Sequence, residues 1–102
     1  MAAILNIQST SREADKTTLR LIHAAVDNEI HRLEMAIILA EKRLALFEQK
    51  YHVSSSVFIE TYAAEDLTGG DDEYVEWAGE YRLCERLREH LRRLREVEYA
   101  DF

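Results

Sequence analysis

The chain has 102 residues, 47 % hydrophobic and 32 % charged, and its 20 acids against 13 Lys and Arg give a net charge of −7. A chain of that length holds one domain at most, the composition is not that of a disordered polymer, and no apolar run approaches the ~20 residues of a membrane span. The acidic balance argues against general nucleic-acid binding, which rests on Lys and Arg neutralising phosphates, and favours a basic partner.

Residues 1–11 read as an N-terminal arm, in which Ile4, Leu5 and Ile7 fit a short strand or a loose apolar tail. The start lacks the basic and long apolar regions of a leader. Together with the single cysteine, Cys84, which excludes an internal disulfide framework, this points to a reducing cytoplasm. Thr10-Ser11-Arg12-Glu13 has the form of a capping box, so a helix begins there and a single helical domain covers 12–102.

Along that helix Leu19, Ile22, Val26, Ile30, Leu33, Ile37, Ala40, Leu44, Phe47 and Tyr51 follow one another by steps of three or four, a helix period and no strand period. Met35, Ile38, Leu39, Ala45 and Leu46 form a second, weaker stripe that widens the apolar face. One helix over 12–51 extends ~60 Å at 1.5 Å per residue. A compact chain of this size has a radius of gyration near ~13 Å, so the helix needs a second long helix, a second copy, or both.

Ser54-Ser55-Ser56 offers N-cap hydroxyls to a short helix over 54–66, although Val57-Phe58-Ile59 is also strand-like. Proline is absent and the one obvious break is Gly69-Gly70, where glycine permits positive φ. Asp71 then caps a final helix over 72–98, with Asp72 and Glu73 at the positive end of its dipole. The contiguous acids do not follow the alternating spacing of a calcium loop. Tyr74, Trp77, Tyr81 and Cys84 line one side of this helix, and Leu83, Leu87, Leu91, Leu94 and Val97 continue its apolar face.

These elements predict an all-α fold, a long antiparallel helical hairpin with a short intervening helix, pairing into a dimeric four-helix bundle or coiled coil. Leu19, Ile22, Val26, Ile30, Leu33, Ile37, Leu44, Phe47, Leu87, Leu91 and Leu94 are the expected dimer interface.

Charge is polarised in the second half, with eight acids and no Lys or Arg over 60–80 and then six arginines over 82–95. The arginines have neighbouring acids at helical spacing, in the pairs Glu85–Arg88, Glu89–Arg92, Glu89–Arg93 and Arg92–Glu96, so they read as a solvated face. His23, Asp27, His31 and Glu34 also recur along the first helix, a line that would suit zinc or iron. It lacks the Glu-x-x-His pairs of di-iron bundles and flanks the apolar stripe, so neither metal nor cofactor is expected. His52 and Cys84 read as structural, and with no nucleophile–base pair or phosphate-cradling loop the chain is not expected to be an enzyme.

The combination RLEMAIILAEKRLALFEQKYHVSSSVFIETY followed by GGDDEYVEWAGEY resembles a group of small helical proteins of bacteria and archaea. In that group a long helix ends F-E-x-K-Y, an S-S-x-x-F helix follows, and G-D-D precedes a helix bearing tryptophan. The matching positions are Leu33, Glu34, Phe47, Glu48, Lys50, Tyr51, Ser54, Ser55, Phe58, Gly70, Asp71, Asp72, Trp77 and Tyr81. The doubled Gly69-Gly70 departs from the pattern. Members look like the antitoxin halves of toxin–antitoxin modules. The resemblance therefore implies a homodimer that binds a basic toxin from a neighbouring gene, with Phe58, Tyr62, Asp71, Asp72, Tyr74, Trp77 and Tyr81 as the contact residues. The alternative is a homodimeric scaffold or adaptor without a toxin, and after it a metal-binding helical bundle.

Overall fold

The structure, a computed structural model, describes residues 12–62, 66–67 and 70–98. It is all-helical, with α1 at Arg12–Tyr51, α2 at Ser55–Thr61 and α3 at Gly70–Glu98, and α1 packs against α3. The expected N-terminal arm, the first residues of the capping box and Gly69 lie outside the described residues. Among the described residues there is no strand, and no helix is long and apolar enough to cross a membrane.

α1 has the span that its apolar period predicts. His52 ends it in the left-handed region, φ 55°, which releases the chain into the turn before α2. α2 is helical through Val57-Phe58-Ile59 but shorter than expected. Tyr62 is already extended at φ −96° and ψ 143°, and its N–H closes the helix on the Phe58 carbonyl. α3 starts earlier than expected, at a Gly70 with φ 71°. Asp71 therefore sits with Asp72 and Glu73 inside the first turn, where all three carboxylates meet the positive end of the helix.

The chain divides into two compact units, one of Met1–Met35 with Arg88–Phe102 and the other Ala36–Leu87. In the first, Ile30, Leu33 and Leu91 are buried, while Leu19, Ile22, Val26 and Leu94 are half-buried. Its helices run antiparallel, since Arg95 donates to Glu34 at 3.0 Å and Glu98 bonds Asp27. That shared hydrogen bond, with desolvation, holds the Glu98 carboxyl above its ordinary value of 4.5. Among the expected arginine pairs, Glu89 meets Arg92 at 2.7 Å and Arg93 at 3.0 Å, and Arg92 meets Glu96 at 2.7 Å. The two guanidiniums hold Glu89 down at about 2.

In the second unit Ile37, Ala40 and Leu44 of α1, Trp77, Ala78 and Cys84 of α3, and Phe58 and Leu67 make up the buried apolar set. The helices are again antiparallel, with Arg43 on Glu80 and Lys50 on Glu73. Of the residues expected between copies, Ile30, Leu33, Ile37, Leu44 and Leu91 are thus buried by the single chain itself. In this unit the outward apolar residues of α1 belong to the weaker stripe, with Ile38, Leu39 and Leu46 about half exposed or more. A helix packed on one neighbour covers one face, so the second stripe is left to solvent.

Candidate interaction surface

Two serines and a glutamate organise the corner of the second unit. Ser54 caps α2, its hydroxyl accepting from Val57 N–H at 3.3 Å. Ser55 donates its backbone N–H to Glu48 Oε2 of α1 at 2.8 Å. That satisfies a donor left unpaired at a helix start and places a carboxylate at the positive end of α2. The Ser55 hydroxyl meanwhile accepts from Trp77 Nε1 of α3 at 2.8 Å in a buried setting. One residue therefore ties α2 to both long helices.

Around it the aromatic rings interlock. Phe58 lies face to face with Trp77, centroids 3.8 Å apart and planes 2° from parallel. Phe47 and Tyr51 of α1 stack on the indole at 5.4 and 5.6 Å. Tyr74 meets Phe58 edge-on at 5.3 Å, and Tyr62 meets it at a tilt at 5.8 Å. Such contacts add to the area burial that large aromatic rings already supply. At the rim, Tyr51 Oη donates to Glu73 Oε2 at 2.6 Å and Lys50 Nζ to Glu73 Oε1 at 2.5 Å. The Lys50 bond first, then the Tyr51 bond, draws the Glu73 carboxyl below its ordinary value.

This geometry revises the expected contact residues. Phe58 and Trp77 have no exposed surface at all, so they are the framework of the corner and not its contact face. Tyr62, Tyr74 and Tyr81 are half-buried, and Asp71 and Asp72 are exposed. Beside them stand exposed side chains that the sequence did not single out, Val57 on α2 and Val75 on α3, 46 % and 66 % exposed. Glu60, Asp66 and Glu76 are also exposed. The exposed residues of α2 and the start of α3 thus include acids and two valines, while the Phe58 and Trp77 rings of the corner lie beneath the surface.

Sequence reasoning gives no tertiary role to Glu48 and offers Ser55 only as one of three hydroxyls that could cap α2. Both stood among the positions that carried the family resemblance, and their grouping with Phe47, Tyr51, Phe58 and Trp77 there was the available signal. The line of His23, Asp27, His31 and Glu34 does not converge. Asp27 and Glu34 turn to Glu98 and Arg95 of α3, and among the described residues no group of three or more His, Cys, Asp or Glu is placed to hold a metal ion. Cys84 forms no disulfide among the described residues and lies in the packed interior, 1 % exposed.

No protein-family model matches the chain, and neither a curated protein nor a solved structure matches it.

Proposed function

We infer that the protein is a non-enzymatic protein–protein interaction module, an antitoxin-like dimer that binds and neutralises a basic toxin partner. The observation that carries this reading is the charge of the α2–α3 corner. Residues 60–80 hold eight acids and no Lys or Arg. α1 supplies Lys50 to Glu73 and Arg43 to Glu80, while Glu60, Asp71 and Asp72 face solvent without an ion pair among the described residues. Such a surface steers and orients a cationic partner. The aromatic base beneath it keeps the acids in place, so less ordering is required on binding.

Co-expression with the product of the adjacent gene tests the reading. A stoichiometric complex and relief of toxicity are expected, and both weaken when Asp71 and Asp72 are changed to Lys. Unrelieved toxicity with no co-purifying protein refutes the antitoxin role. The exposed leucines of the second unit favour a second reading, a homodimeric scaffold without a toxin. An isolated gene whose product dimerises and binds no basic protein supports that alternative.

A further inference from the structure

The second unit carries an open groove of ≈ 630 Å³ between α1 and α3, with Leu46 and Phe47 among its lining residues. Its two walls have opposite charge. Arg43 and Lys50 stand on the α1 side, and Glu73, Glu76 and Glu80 stand on the α3 side. The pairs Arg43–Glu80 and Lys50–Glu73 fix the register of the helices, because seven residues up α1 match seven down α3. Leu39 is accordingly level with Cys84, next to Leu83, and Leu46 with Trp77, next to Glu76.

On α1, Leu39, Arg43, Leu46 and Lys50 succeed one another by four, three and four residues. On α3, Glu73, Glu76, Glu80 and Leu83 do so by three, four and three. These are the steps of a seam that another helix pair fills, with leucines as knobs and charges setting the partner's orientation. The seam is open, since Leu46 is 68 %, Leu39 49 % and Leu83 37 % exposed.

We propose that a second copy of this chain docks on this seam, with α1 of each copy lying over α3 of the other about a two-fold axis parallel to the helices. The charge pattern selects this occupant and this orientation. A uniformly basic helix in the groove meets Arg43 and Lys50, and a uniformly acidic one meets the three glutamates. A ligand that carries both signs in two parallel stripes at the same spacing fits both walls, and the chain itself is such a ligand. In the stated orientation cations face glutamates, Leu39 meets the partner's Leu83, and Glu76 gains an ion partner. The antiparallel alternative sets α1 on α1 and α3 on α3, which places like charges together at both seams. Closed two-fold pairing also uses the same patch on both copies, as this self-complementary face requires.

The proposal deepens the homodimer named above and rests on it. The test uses the full chain in a Cys84→Ser background, with Leu39→Cys and Leu83→Cys carried on separate, differently tagged chains that are mixed and mildly oxidised. A disulfide joining one chain of each kind, at least tenfold over self-linked products, is expected. Sedimentation of the unmutated chain runs alongside. A dimer that gives self-linked products or no disulfide overturns this face and orientation and leaves the homodimer standing. A monomer overturns both. Leu46→Glu gives an independent reading on a solvent-facing position: it converts the dimer to monomer with helicity unchanged, and persistence of the dimer overturns the proposal.

Discussion

Removing the Ser55 hydroxyl isolates one bond at the centre of the corner. In Ser55→Ala the indole N–H of Trp77, which is fully buried, loses its 2.8 Å acceptor. A buried donor left unpaired costs about 1–3 kcal/mol. The opposing gain is small, since alanine exceeds serine in helix propensity by only a few tenths of a kcal/mol. The backbone bond from position 55 to Glu48 survives the change, so the loss reports the hydroxyl alone. For a domain near this size the expected fall in Tm is roughly 5–15 °C. Urea unfolding followed by circular dichroism should show a lower midpoint with an unchanged slope. In a Trp77→Phe background no donor remains to be orphaned, and the same Ser55→Ala change should cost only a few tenths of a kcal/mol. Equal costs in the two backgrounds, or a loss under ~0.5 kcal/mol in the unmutated chain, would refute the assignment of Ser55 as the acceptor that secures Trp77.

His52→Gly relieves a left-handed residue that costs a side chain ~1–2 kcal/mol, and after glycine's own entropy loss should raise stability by about 0.5–1 kcal/mol in the same denaturation assay. Glu48→Ala removes the carboxylate that accepts from Ser55 at the start of α2 and should cost about 1 kcal/mol, while Glu48→Gln keeps an acceptor and recovers part of it. Glu73 and Glu89 have folded pKa values below 4.5, Glu89 at about 2, so their contributions are present above pH 4.5 and are lost as pH falls through the folded values. Glu98 is shifted the other way, and its contribution is present in acid and lost as pH rises through its folded value. Thermal scans between pH 5 and pH 2 should therefore show falling Tm on acidification, and Glu89→Gln should make the profile shallower.

The helices were legible because their period and breaks are local. The three-and-four spacing from Leu19 to Tyr51 gives α1 its length, and Gly70 with its positive φ marks the start of α3. α2 was overextended because nothing in Tyr62 announces an extended backbone; that stop depends on packing. The inward direction of Leu33, Ile37, Ala40 and Leu44 followed from their dominance of the stripe, but the owner of the facing helix did not. An apolar stripe has the same pattern whether α3 or another copy covers it, and α3 covers it here. The Glu48–Ser55–Trp77 chain was hidden for a different reason: it joins residues seven and 22 positions apart, and only the tertiary register brings them together. Trp77 reads in the sequence as a core residue on the inner side of α3, with partner contact the lesser reading, and its fully enclosed ring agrees with the first.

The solution mass of the untagged chain tests the central claim most directly, because an acidic dimer is the platform on which the partner is proposed to bind. Sedimentation equilibrium at tens of micromolar should give twice the 11.9 kDa of one chain, and adding salt should weaken the association by screening the facing charges. A fully helical species that stays at 11.9 kDa across that range would contradict it.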